Sequence, residues 1–314
     1  MVTEKTPRTS RRTRLAVAGA RAGTRSAFGS PSRADRTGNV LFPALLLLGL
    51  GVALLGVASI ITWAIIDGAA RLNLGLITNG TSRLFPEQAG YREAILGSLY
   101  LIGGVIALIV PLGVGAAVYL EEYADNTRWY NRVIELNIQN LAGVPSIVFG
   151  ILGLGFVARG PLSLGFVVAT ASITVAMLVL PTVIIAAREA IRAVPPSIRE
   201  GSLALGATKW QTISRQVLPA ALSGILTGAI LAVSRGFGEA APLLLVGATT
   251  FVTFTPELFD GSYTALPVQI FNYQKQPQDE FQALAAGGVL VMLALLLLVN
   301  SFAIWLRNRY EQKW

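Results

Sequence analysis

Long stretches of this 314-residue chain carry no charge at all. The runs Val40–Ile66, Ala94–Leu120, Leu136–Ala158, Gly160–Ala187 and Phe281–Leu306 contain no Asp, Glu, Lys or Arg. A sixth run, Gln216–Pro256, is apolar apart from Arg235 and Glu239. A bilayer core about 30 Å thick needs about 20 apolar residues in helical form. Each run meets that length, and none shows the short alternating segments of a membrane barrel. The pattern predicts an all-α, polytopic membrane protein with six spans, one per run. The first run, at 27 charge-free residues, far exceeds the roughly 7–15 of a signal-peptide core. It is expected to be a retained anchor.

Between the fourth and fifth runs lies a polar stretch, residues 188–219, reading REAIRAVPPSIREGSLALGATKWQTISRQVLP. After Pro195-Pro196, Ser197 followed three residues later by Glu200 has the spacing of a capping box. Leu203, Ala204 and Ala207 form a small apolar face, and Gly206 suits a helix end that needs a left-handed residue. The stretch is expected to be a short amphipathic helix under the membrane. Two uses are open to it: an interfacial helix without a partner, or a docking helix. The two longer external segments are about 67–93 and 249–280, and the second is read either as an ordinary solvated loop or as a stretch holding short helices or a docking surface. The acids Glu121, Glu122 and Asp125 at the end of the second run are expected to form a solvated face.

Composition narrows the choices. Of all residues 53% are hydrophobic and 13% charged, against about 25% charged in soluble domains. The net charge of +8 comes almost wholly from residues 1–38, where nine Lys/Arg face two acids. This tail, rich in Ser, Thr, Gly and Ala, is expected to be a disordered basic segment lying by anionic lipid head groups. It lacks the aromatic interleaving of a nucleic-acid binder. The chain has neither Cys nor His, which rules out zinc sites built on them, thiol nucleophiles and Ser-His-Asp triads. No calcium-loop spacing occurs either, so no metal is expected. With the amino terminus inside, the inner segments hold 19 Lys/Arg and the outer ones five. The positive-inside bias therefore places both termini in the cytoplasm.

Within the fifth run, Arg235 and Glu239 are spaced to share one helical face. An ionised group in a span is costly, so it faces a bundle interior, an aqueous path or a partner. Counted from Pro219, Arg235 is about 24 Å along the helix. Gly236 and Gly238 beside it allow close backbone approach, and Pro242 is placed to break the helix. Arg235 either offers a guanidinium to an oxyanion crossing the membrane, with Glu239 holding it otherwise, or the two form a neutralising pair that fixes packing.

Two stretches carry a resemblance. Glu200-Gly201-Ser202, Gly206 and Leu218-Pro219 resemble the coupling motif of ABC importer permeases, with Gly201 and Ser202 at its two alanine positions. Gly143–Gly150 (GVPSIVFG) and Arg235–Leu244 (RGFGEAAPLL) are similar to the phosphate-specific permeases of that family, the latter closer to the PstA branch than to the PstC branch. The resemblance covers about residues 40–306. It implies a type I ABC importer permease (MetI-like) fold in a domain spanning 39–314, after the 1–38 tail. It further implies that Glu200, Gly201, Ser202, Leu203, Ala204, Gly206 and Ala207 contact an ATPase subunit. Arg235 and Glu239 would line the path of inorganic phosphate, and Gly143–Gly150 would belong to a subunit interface and gate; read from its residues alone, with Pro145 in an apolar run, that stretch is a kinked packed helix. The implied partners are PstB-like ATPase subunits that use ATP and Mg, a PstC-like second permease and a PstS-like extracytoplasmic phosphate-binding protein, in a bacterial plasma membrane. None of the four lysines follows a glycine, so no phosphate-binding loop exists here and the chain holds no ATPase site of its own. The rivals are a permease for another solute, such as sulfate or molybdate, and an ion-coupled secondary transporter. The latter predicts more intramembrane carboxylates and an inverted repeat. A membrane enzyme fits poorly, because the spans hold no cluster of catalytic side chains.

Overall fold

The computed structural model describes residues 33–125, 127–249 and 251–310. The expected basic tail lies, up to residue 32, outside the described residues. Every regular element among those described is a helix. The chain divides into two units at Ile60 and Ile61. In the first, helix α1 (Arg33–Gly68) begins, and from Leu41 onward its large apolar side chains are exposed. Such a surface is tolerated only against lipid or another protein.

In the second unit the short helix α2 (Leu74–Thr78) leads to α3 (Arg92–Val118), which continues through a π-turn at Tyr119–Tyr123. Then come α4 (Trp129–Ala142) and α5 (Ser146–Leu152), the latter extended by a π-turn to Ala158. Helix α6 (Val168–Arg192) lies at the centre, with Leu178, Val179 and Ile191 fully buried. A short helix α7 (Pro196–Ala204) follows, then α8 (Lys209–Thr212), which passes through a π-turn at Ile213–Val217 into α9 (Leu218–Phe237). The chain closes with α10 (Ala241–Leu245), α11 (Leu266–Gln274) and α12 (Asp279–Tyr310).

Close approach is what packs α3 and α9 onto α6. A Cβ on Gly104 would lie 2.5 Å from Ser172 Oγ, and one on Gly113 2.7 Å from Val183 Cγ1. On the other side, Gly224 and Gly228 would meet Ala190 Cβ at 2.6 Å and Ala186 Cβ at 2.3 Å. Small residues at these crossings let backbones touch where burial of apolar surface gives no drive, lipid being equally apolar.

The structure corrects the predicted third span. Leu136–Ala158 is not one helix: α4 and the α5 stretch Ser146–Ala158 meet at 110°. The break is at Gly143-Val144-Pro145. Proline has no N–H to continue the ladder, and it drives the residue before it out of the helical region. Among the described residues five helices are long and apolar enough to span a membrane, and the bent pair makes six if it counts as one. The predicted fourth span also starts later, at Val168. Segment 249–280 is no solvated loop throughout, since Tyr263, Leu266, Val268 and Tyr273 are buried. The Tyr273 ring stacks on Phe281 at 5.5 Å and meets Tyr91 edge-on at 5.4 Å. Burial pushes the Tyr273 hydroxyl up to about 12.

Candidate functional site

Arg235 occupies the last turn of α9, and the helix stops at Phe237 with Gly238 as its cap. The expected break at Pro242 therefore occurs earlier, and Pro242 instead opens α10 within its first turn, where its missing N–H costs nothing. Glu239 sits past the helix end rather than on its face. It still reaches Arg235, with Nε to Oε1 at 3.8 Å, too long for a hydrogen bond. The Arg235 side chain is 42% exposed and that of Glu239 18%. A cation at a helix carboxyl end is favoured by the helix dipole, so the guanidinium is tolerated here without being tied down. Of the two neighbouring glycines only Gly236 is needed for close approach, its Cβ falling 3.0 Å from Val175; a Cβ on Gly238 meets nothing nearer than 3.7 Å.

The two stretches quoted above for their resemblance come together. A Cβ on Gly150 of α5 would lie 2.8 Å from Pro242 Cα and from Leu245 Cδ1. Gly153 likewise abuts Thr174 and Val246. The GVPSIVFG and GEAAPLL segments thus form one packed unit beside Arg235, with Phe149 and Leu243 buried in it.

At the other end of α6, the polar stretch forms α7, but not with the predicted start. Pro195 is the cap and Pro196 the first helical residue; Ser197 caps nothing. The real capping box comes later, where Thr208 accepts from Gln211 N and the Gln211 side chain accepts from Thr208 N. The predicted end is as expected. Gly206 has φ +84, and Gly206 N and Ala207 N donate to Leu203 O and Ser202 O at 2.9 and 3.2 Å. These are the paired bonds of a Schellman end. Glu200, Gly201, Leu203, Ala204 and Gly206 are exposed, and Ser202 and Ala207 half-buried. Outside its own helical backbone, no atom of the described residues lies within 4 Å of where a Gly201 Cβ would be, so no described neighbour requires a small residue there. Leu205, which sequence alone did not single out, is 91% exposed beside half-exposed Leu203.

The acids beyond α3 are not the solvated face that was expected. Glu121 pairs with Arg188 at 3.1 Å and Arg192 at 2.9 Å, and Arg188 also pairs with Glu135 of α4 at 2.6 Å. Glu122 pairs with Arg199 of α7 at 2.9 Å. The Glu121 and Glu122 side chains are only 16% and 10% exposed. Asp125 alone meets the expectation, with a half-exposed side chain and a carboxyl held below its usual range, chiefly by hydrogen bonding to Thr127. No spacing rule pairs residues 67 to 77 positions apart. The one available signal was the concentration of Arg at the end of α6.

Residues 109–314 match the family described as "Binding-protein-dependent transport system inner membrane component". The chain is 32% identical over 282 residues to the "Probable ABC transporter permease protein YqgI" of Bacillus subtilis (strain 168), covering 85% of this chain and 95% of that one. It is 35% identical over 274 residues to the "Phosphate transport system permease protein PstA" of Yersinia pestis, covering 86% and 88%. Among solved structures, a chain of a bacterial alginate ABC transporter in complex with an alginate pentasaccharide-bound periplasmic protein superposes with a TM-score of 0.64 at 13% identity, over 90% of this chain and 99% of that one. At that identity the likeness speaks for the fold, that of a type I ABC importer permease.

Proposed function

This chain belongs to the family of binding-protein-dependent transport system inner membrane components, and from that premise we propose that it is a permease subunit of an ATP-driven importer that brings inorganic phosphate into the cytoplasm. The observation that carries the substrate is Arg235. It is an exposed guanidinium at the end of a membrane-crossing helix, paired only loosely with Glu239 at 3.8 Å, and it stands beside the packed segments that resemble the phosphate-specific permeases. A planar donor fork suits an oxyanion, and a loosely held one suits passage rather than capture. The relatives named for phosphate transport support the same reading.

The drive comes from outside the chain, from ATPase subunits that bind ATP with Mg. The exposed α7, with Leu203 and Leu205 bare, is the surface for them. A second permease completes the path, and an extracytoplasmic phosphate-binding protein loads it. Both termini and α7 lie on the cytoplasmic side, in keeping with the Lys/Arg bias.

Phosphate uptake by cells expressing Arg235→Gln tests the reading. With normal amounts of the chain in the membrane, uptake is expected to fall at least about tenfold, the loss of one charge-assisted contact. Unchanged uptake removes Arg235 from the path. Uptake of sulfate or molybdate instead of phosphate by the native protein would move the substrate to another oxyanion.

A further inference from the structure

Helix α7 has nine residues and buries none of them. A helix that short has little intrinsic stability in water, and its apolar anchor is a single half-buried residue, Ile198, packed against the cluster of Ile191, Val194 and Ile213. One apolar contact leaves the helix free to swivel, and the polar contacts that fix its direction converge on Arg199 and Lys209. Arg199 donates from Nη1 and Nη2 to Val194 O at 2.6 Å and Ile191 O at 2.8 Å. These carbonyls lie at the end of α6 and just beyond it, where the helical ladder stops; Ile191 O also accepts from Val194 N at 3.2 Å. Arg199 Nε and Nη2 also reach Glu122 Oε1, at 3.0 and 2.9 Å. The main-chain carbonyl of the same Glu122 accepts from Lys209 Nζ, at the start of α8, and that ammonium lies 4.8 Å over the Tyr123 ring. The π-turn Tyr119–Tyr123 thus holds segment 196–209 near its start and at its end. The Ser202 and Thr212 hydroxyls, 2.9 Å apart, close α7 onto α8.

The placement of the acids is also unusual. Two adjacent carboxylates are largely withdrawn from water, which is costly unless each is paired. Each is paired with a different element: Glu121 with Arg188 and Arg192 on α6, Glu122 with Arg199 on α7. Glu121 alone would secure α3 to α6. Glu122 reaches α6 only through Arg199, which grips Ile191 O; what it secures directly is α7.

We propose that Glu122 is a positioning residue, which joins α7 to the end of α3 through Arg199 so that a displacement of α7 is delivered to the membrane helices instead of being lost in a swivel of α7. This rests on the reading above only for what displaces α7.

The assembled transporter in proteoliposomes, with its ATPase subunits, second permease and binding protein, provides the test. In Glu122→Gln, which keeps the shape and removes the charge, the ATP hydrolysed per phosphate imported is expected to rise about fivefold or more. The amount of ATPase subunit recovered with the chain should not change. Arg199→Lys, which keeps the charge and loses the fork, should act in the same direction. It also serves if Glu122→Gln does not accumulate. The double variant Glu122→Gln/Arg199→Gln should be no worse than Arg199→Gln alone, as for a single shared contact. Glu189→Gln, removing a 63%-exposed partner of Arg192, should leave the ratio at the native value. An unchanged ratio in Glu122→Gln, or additive losses in the double variant, overturns the proposal.

Should the native assembly import no phosphate, the functional reading fails while the positioning role is still measurable. The chain has no native cysteine, so spin labels at Ala124→Cys and Leu205→Cys report the distance from the end of α3 to the tip of α7. Glu122→Gln is expected to broaden that distance distribution, and an unchanged width overturns the proposal.

Discussion

Glycines in this chain fall into separable kinds, and the difference predicts what substitution does. Gly206 stands at φ +84 with open space around it. Its requirement is conformational, and an L residue there costs about 1–2 kcal/mol. Gly206→Ala is expected to speed hydrogen exchange at the 206 and 207 amides about fivefold or more, since both bonds of the Schellman end depend on that turn. Gly228 is ordinary helix whose Cβ would lie 2.3 Å from Ala186 Cβ. Gly228→Ala should push α9 off α6 and lower the thermal midpoint in detergent. Gly201 has neither constraint, with nothing within 4 Å. Gly201→Ala is expected to hold or raise the midpoint, because alanine favours a helix by up to about 1 kcal/mol over glycine. A lowered midpoint there would mean that a partner, absent from these internal contacts, sets the size of that residue. Which glycine belonged to which kind was legible for Gly206, from its place after an apolar run. It was not legible for Gly228, because the residue it meets lies 42 positions earlier in the chain.

Between elements, the ion pairs that join α3, α4 and α6 rank by burial. Arg188 has an 11%-exposed side chain between Glu121 and Glu135, and Arg192 one that is 48% exposed. Removing one partner of a buried pair leaves an uncompensated charge and costs about 3–5 kcal/mol, whereas exposed pairs contribute about 0–1 kcal/mol. Arg188→Met should therefore lower the thermal midpoint well beyond Arg192→Met, and equal shifts would contradict the ranking. The bend between α4 and α5 was half legible. Pro145 announced a kink, but a charge-free stretch from Leu136 to Ala158 looked like one span. Its first part proves to belong to an amphipathic helix that starts at Trp129 and carries Glu135. Apolar count finds a span; it does not find a 110° corner within one. Capping was misassigned for a related reason. Ser197 and Glu200 have the right spacing, yet Pro196 already occupies the first helical position, and the box formed at Thr208 and Gln211 instead.

For the whole molecule, orientation is the property most open to a direct test. Leu205 is 91% and Leu84 81% exposed, and in a chain without cysteine each can be replaced by a unique thiol. In right-side-out vesicles holding the permease alone, an impermeant maleimide is expected to label Leu84→Cys directly, and Leu205→Cys only after the membrane is opened. The reverse pattern would invert the topology. The membrane class and the five long spanning helices among the described residues followed from sequence because a bilayer imposes a one-dimensional demand. Each crossing needs about 20 consecutive apolar residues, and Lys/Arg bias acts on the loops between them. The helix end at Gly206 followed from local spacing in the same way. Only the tertiary structure decided that Gly150 seats on Pro242, that α9 ends before Glu239, and that Glu121 and Glu122 are withdrawn from water. These depend on which helices become neighbours. In lipid that is settled by backbone approach at small residues and by pairing of charges far apart in the chain, and neither leaves a period in the sequence.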